Sequence, residues 1–226
     1  MRRVLRSLST VLIVAGVLLI ADAAATVVWQ EPLSALMAAR SQAQLSDELE
    51  RLELRTLAPA DRRALDELPS TARRIAFAAR RLRERAEPGD PVGRIVLPTL
   101  GKDFVVVDGD DAASLRKGPG VYPDTPLPGE GGTTAVAGHR TTYLAPFRDL
   151  DDLRRGDHIR MEMPYGTFTY AVQGTRIVEP DDVSVIDPVG YERLVLTACH
   201  PLYSAAERIV VSARLVKVEP TPDLRR

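Results

Sequence analysis

The sequence predicts a mainly β domain, a barrel or a sandwich, set behind an N-terminal membrane-spanning segment and a helical stretch. Three observations predict this. The chain opens with a long apolar run, continues with apolar residues at helical spacing, and turns after residue 90 into short β-rich runs separated by Gly, Pro and Asp.

Arg2, Arg3 and Arg6 make a basic start, and Ser7 to Gln30 carries one charge, Asp22. About 20 apolar residues at roughly 1.5 Å each span a bilayer core of about 30 Å. The positive-inside rule puts residues 1–7 in the cytoplasm, residues 8–30 in the membrane as a single-pass anchor, and the remainder outside the cell membrane. Trp29 stands where an aromatic interface anchor is expected, and Asp22 lies close enough to the outer interface to reach water. The alternative is a cleaved signal peptide, for which Ala23-Ala24-Ala25 offers small residues. Apolar residues resume at Thr26-Val27-Val28-Trp29 and lengthen the run beyond a signal core, which favours the anchor.

Residues 31–90 read as a helical extracytoplasmic stalk or linker. Leu45, Leu49 and Leu52 keep helical spacing, as do Ile75, Ala79, Leu82 and Ala86, while Pro59 and Pro69 divide the stretch into two or three helices. Arg73 to Arg85 is strongly basic and reads as a solvated helix face, with anionic lipid or wall polymer as the alternative. Such a stalk would hold the following domain away from the bilayer.

Composition changes at Glu87 to Gly93. The β-rich runs that follow are 93–97, 103–107, 133–138, 157–163, 167–178, 193–199 and 207–218, with a hairpin turn at Met163 to Phe168 and a short helix at 114–118. The folded domain therefore covers 91–218, and residues 219–226 form a frayed tail. Thirty Lys+Arg against 31 Asp+Glu, with 5% aromatic residues, exclude a global field or stacking platform for nucleic acid. The chain has no Gly-rich phosphate loop, no CxxC and no HExxH, so no cofactor and no metal are expected. The carboxylates of Asp108 to Asp111 match no EF-hand spacing and read as a turn.

Cys199 is the only cysteine, so an exported chain cannot use it in an internal disulfide. It is an inert core thiol, an intermolecular bridge or a nucleophile. Nucleophilic thiol chemistry needs a proton carrier and something to hold developing negative charge. Of the three histidines, His139 follows the small-residue strand 133–138 where a loop opens, His158 sits at an alternating polar position, and His200 should face away from Cys199. Alternation puts Val195, Thr197 and Cys199 on one face, and it separates Ile209, Val211, Ala213 and Leu215 from Arg208, Val210, Ser212 and Arg214. Cys199 closes one strand and Arg208 opens the next, so an antiparallel pair brings both to one end of the sheet. Arg140 and Arg214 are the competing arginines.

At these residues the chain resembles the sortases, cysteine transpeptidases of the Gram-positive cell surface. The family motif T-L-x-T-C is filled by Val195-Leu196-Thr197-Ala198-Cys199, with Arg208 heading the next strand and His139 sixty residues before the cysteine. The likeness runs from about Pro91 to Val218 and is greatest to the class E sortases of actinobacteria, whose motif commonly continues into His-Pro, as His200-Pro201 does here. Val195 and Ala198 depart from the family's threonines.

The resemblance implies a closed β-barrel of about seven to eight strands with short helices. It implies Cys199 as nucleophile, His139 as general acid and base, and Arg208 as the group steadying substrate and oxyanion. Thr197, Ala198 and Tyr143 are the implied substrate-binding residues, and no cofactor is required. The implied partners are secreted proteins bearing a C-terminal LPxTG or LAxTG sorting signal, cut between Thr and Gly, and an amine of a peptidoglycan precursor or a pilin lysine. Two other functions fit the same residues: a different extracytoplasmic cysteine hydrolase or transpeptidase of the wall, and a non-catalytic membrane-tethered β domain that binds a partner.

Overall fold

Alternating apolar residues in the second half of the chain find their partners by closing on themselves. The computed structural model describes residues 2–29, 32–54 and 59–225. Eight strands form a closed barrel: β1 (Pro91–Leu97), β2 (Lys102–Asp108), β3 (Gly120–Val121), β4 (Thr133–Ala137), β5 (His158–Met163), β6 (Gly166–Val178), β7 (Arg193–His200) and β8 (Glu207–Pro220). Around the barrel the order is β1-β2-β3-β4-β7-β8-β6-β5, with β2/β3 and β4/β7 parallel and the other neighbours antiparallel. Each of the seven expected runs became a strand. The eighth, β3, has two residues, too few to carry a period-2 signal.

Inward-facing side chains fill the barrel. Ile95, Leu97, Val106, Val136, Leu194, Leu196, Ile209 and Val211 belong to one buried cluster and are fully buried or nearly so. A second, smaller cluster lies on the outer face, where Val185 of the 3-10 turn Val183–Ile186 covers Ala135, Val195 and Val210. Strands β4, β7 and β8 are thus buried on both faces where this cluster covers them. The turn at Pro164-Tyr165 joins β5 to β6 as expected, and the buried Tyr165 hydroxyl donates to the Pro128 carbonyl at 2.7 Å.

The helices are α1 (Arg2–Trp29), α2 (Pro32–Leu54), α3 (Pro59–Glu67), α4 (Thr71–Arg85) and the short α5 (Ala112–Lys117). Pro59 and Pro69 mark breaks, as expected. Asp111, expected in a turn, caps α5 by accepting from the Ala113 and Ser114 amides. In α1 the described side chains run from Arg6 to Ala21, and Leu8, Val11, Leu12, Ile13, Val14, Val17, Leu18, Leu19 and Ile20 are all exposed. Among the described residues, no helix is long and apolar enough to cross a membrane. The side chains of Asp22, Ala23 to Ala25 and Trp29 lie outside the described residues.

Helices α2 and α4, within the stretch expected to form a stalk, pack against the barrel. The leucine stripe of α2 lies on the outer face of β2, where Leu45 and Leu49 bury against Val105 and Val107. Because β3 is so short, Val105 has no strand partner on that side. The Gln42 side-chain amide takes the strand's place: its Oε1 accepts from the Val105 N–H at 2.8 Å and its Nε2 donates to the Val105 carbonyl at 3.0 Å and to the Lys117 carbonyl at 2.8 Å. In α4, Ile75, Ala78 and Ala79 join the main core. The basic face of α4 is also engaged, with Arg81 and Arg85 on Asp61 and Arg83 on Glu130. The C-terminal tail is likewise tied down, through the 3-10 turn Pro222–Leu224 and the buried Leu224.

Candidate active site

Strand register brings three chemistry-bearing residues together on the outer face of the barrel. In β7, Leu194, Leu196 and Ala198 point into the core while Val195 points outward, so Cys199 shares the outer side. Directly opposite Cys199 on β8 is Arg208. On the other flank, β4 runs parallel to β7 with Ala135 against Val195 and Ala137 against Thr197. Gly138 continues that ladder, its N–H donating to the Thr197 carbonyl at 3.0 Å. His139 lies two residues past the end of β4, on the loop that leaves this flank of β7. The expected alternation of β7 and β8 holds, and the antiparallel connection puts Cys199 and Arg208 at one end.

Cys199 is free and half-buried, so its thiol is not sealed in the interior. His139 is also half-buried, and its Nε2 is buried without a hydrogen-bond partner among the described residues. Burial holds its pKa below the ordinary imidazole value, and the positive charge of Arg116 on α5 lowers it further. The imidazole is therefore neutral at neutral pH and able to accept a proton. Its ring lies against Tyr143, centroids 5.1 Å apart and tilted by 39°. The loop behind it is tightly made. Phe147 donates its N–H to the His139 carbonyl at 3.0 Å, and a Cβ at Gly138 would stand 2.5 Å from the Phe147 ring. Tyr143, Leu144 and Ala145 all take positive φ, an unusual run for residues with side chains.

Arg208 uses Nη1 to hold the carbonyls of Ala205 and Glu207, at 3.0 and 2.9 Å. Among the described residues its Nε and Nη2 make no hydrogen bond. The competing arginines are occupied elsewhere: Arg214 lies over the Tyr191 ring at 4.5 Å, and Arg140 is buried in a hydrogen-bonded cluster. His158 is exposed on β5, and His200 turns away from Cys199, its Nδ1 3.1 Å from Nη1 of Arg140.

The expected substrate-binding residues separate. Tyr143 lies against the His139 imidazole. Thr197 is buried with its hydroxyl engaged by the Tyr122 hydroxyl at 2.9 Å. Ala198 faces the barrel core with 4% exposure, so its side chain presents nothing to a groove; the even parity of β7 turns it inward. Tyr122, Arg116 and the Val183–Ile186 turn escape a sequence reading because only tertiary packing brings them to this face. No cluster of metal-ligating side chains occurs among the described residues.

Comparison with known proteins agrees with this geometry. The sortase domain family matches residues 95–216. Sortase D of Bacillus subtilis is 35% identical over 136 residues, covering 58% of this chain and 67% of that protein. Sortase SrtE1 of Streptomyces coelicolor is 29% identical over 150 residues, and the chain spans 43% of its length. Among solved structures, sortase E of Streptomyces avermitilis superposes with a TM-score of 0.54 at 37% identity, covering 62% of this chain and 99% of that one. SrtF of Corynebacterium diphtheriae gives 0.57 at 31% identity, covering 62% and 95%. A structure of Streptomyces coelicolor sortase E1 carrying a tripeptide in its active site gives 0.56 at 26% identity, over 60% and 93%. Barrel, thiol and family match converge: the chain belongs to the sortase family of cysteine transpeptidases, with class E sortases among its relatives.

Proposed function

We propose that this chain is a membrane-tethered transpeptidase that cuts a C-terminal LPxTG- or LAxTG-type sorting signal between Thr and Gly and joins the Thr to a cell-wall or pilin amine. The observation that carries the reading is the pairing of Cys199 with Arg208 across β7 and β8, with β4 parallel to β7 on the other flank and His139 two residues past its end. Neutral His139 takes the Cys199 proton as sulfur attacks the Thr carbonyl. The resulting oxyanion is met by the Arg208 donors, which suit it because a guanidinium is planar and permanently charged. Collapse breaks the Thr–Gly bond, and the imidazolium gives its proton to the departing Gly amine, leaving a Cys199 thioester. An incoming amine attacks that thioester, His139 removes its proton, and sulfur leaves as the tetrahedral intermediate collapses. The apolar, uncovered side chains of α1 and the sequence of residues 8–30 support a single-pass anchor with the barrel on the extracytoplasmic side.

The test offers labelled LPxTG and LAxTG peptides with an amine acceptor to the protein and to C199A. Transfer product from the wild type and none from C199A is expected. R208A should lower kcat by about a hundredfold or more, the loss usual for an oxyanion donor. Both peptides remaining intact, or C199A transferring as well as the wild type, would contradict the reading.

A further inference from the structure

A buried arginine directly follows the catalytic imidazole. Arg140 is 3% exposed, yet it is charged, so its donors must be satisfied in place. Its Nε and Nη2 both donate to the Arg148 carbonyl, at 3.0 and 2.9 Å, and Nη2 also donates to Asp151 Oδ1 at 2.7 Å. Its Nη1 lies 3.1 Å from His200 Nδ1. A guanidinium can only donate, so His200 Nδ1 accepts and the His200 proton sits on Nε2.

The place of this contact gives it significance. Ala137 is the last β4 residue paired with β7, opposite Thr197, and the Arg140–His200 contact shows that the two chain segments still lie side by side three residues further on. Arg140 directly follows His139 and His200 directly follows Cys199, so this contact is one residue away from both groups. By residue 139 the strand ladder has ended; its last backbone bond runs from Gly138 to Thr197. Beyond that bond, the Arg140–His200 hydrogen bond fastens the two chain segments to each other. The same guanidinium fastens them to the 147–151 segment, whose Phe147 N–H in turn holds the His139 carbonyl. Without it, His139 would rest on a loop of left-handed residues with no side-chain tie to β7.

We infer that Arg140, through its hydrogen bond to His200 Nδ1, is a positioning residue that sets the distance between the His139 imidazole and the Cys199 thiol. This rests on the reading that those two groups carry the chemistry, and neither Arg140 nor His200 touches the substrate in it. Misplacing reacting groups by about 1 Å costs up to roughly a hundredfold in rate, whereas binding contacts elsewhere are untouched. Loss of the tie should therefore lower kcat and leave KM nearly alone.

The experiment compares H200N and H200Q. An Asn Oδ1 occupies the place of His Nδ1 and can accept from Arg140; a Gln amide reaches the place of Nε2 and cannot. Three readouts are taken on the full chain: kcat and KM for peptide transfer, the alkylation rate of Cys199 by iodoacetamide, and the His139 imidazole NMR signals. Expected is a kcat for H200Q about tenfold or more below that of H200N, with KM within about twofold, together with shifted His139 signals in H200Q alone. The thermal midpoint of H200Q should lie below that of H200N, since it leaves the buried Arg140 Nη1 without its acceptor, with both variants folded at the assay temperature. Equal kcat in the two variants, whether both high or both low, would overturn the inference, as would unmoved His139 signals in H200Q. If the wild type itself fails to transfer peptide, the functional reading fails. The alkylation and NMR readouts still decide whether His200 Nδ1 couples Arg140 to the pair.

Discussion

In the proposed reaction His139 acts as a base only while its ring is neutral, and its surroundings favour that state. Burial acts first and the Arg116 charge second, both pushing the pKa down from the ordinary value. As pH falls through the folded-state midpoint the imidazole charges and can no longer take the thiol proton. Transfer should therefore decline on the acid side with a midpoint below about 6.5. Removing the positive charge with R116Q should raise the His139 midpoint, followed by NMR titration in a C199A background, and move the acid limb of the rate profile the same way. Because burial is the larger cause, the midpoint should still lie below that of an exposed imidazole. A midpoint unchanged or lowered in R116Q would show that Arg116 does not act on the ring. The positions of Cys199, His139 and Arg208 were legible in the sequence, as a lone thiol closing a strand, a histidine where a small-residue strand ends and an arginine opening the next strand, while the roles proposed for them come from the resemblance to the sortases. Ala198 was not, since its motif position says nothing of which way β7 turns it, and Tyr122 reaches Thr197 only through the fold.

At the scale of elements, period-2 alternation announced seven strands and helical spacing announced the helices, but pairing order was hidden. The parallel β4/β7 contact joins segments sixty residues apart and depends on long-range closure, which no local pattern encodes. Helix α2 shows the same limit. Its Leu45 and Leu49 stripe was visible as amphipathic spacing, which implies a surface to cover; the sequence did not say that the surface is β2. The helix is part of the barrel's seal rather than a spacer. Each of Leu45 and Leu49, under 5% exposed, should cost about 2–5 kcal/mol when cut to Ala. Q42A should cost about 1–3 kcal/mol, because it leaves the Val105 N–H and carbonyl without partners in a covered position. Chemical denaturation of the variants checks both figures. An L49A variant as stable as wild type would mean α2 is not docked in solution.

For the whole molecule the consequence is that α2 and α4 are packed on the barrel. Deleting residues 1–30 should leave a soluble chain that keeps peptide transfer, since no described side chain of α1 belongs to the buried clusters. Deleting residues 1–88 removes the α2 seal together with Ile75, Ala78 and Ala79 of the main core, and should leave a protein of much lower melting temperature or none that folds. Equal melting temperatures for the two truncations would return residues 31–90 to the role of a free stalk.

The central claim is that Cys199 attacks and holds the acyl group while His139 moves the protons. Intact-protein mass spectrometry after brief mixing with sorting-signal peptide and no added amine tests it most directly. The account predicts an adduct equal to the peptide through its Thr less one water, mapped to Cys199, absent from C199A, and released when an amine is added. Peptide cleavage with Cys199 remaining unmodified, or an adduct on another residue, would contradict it.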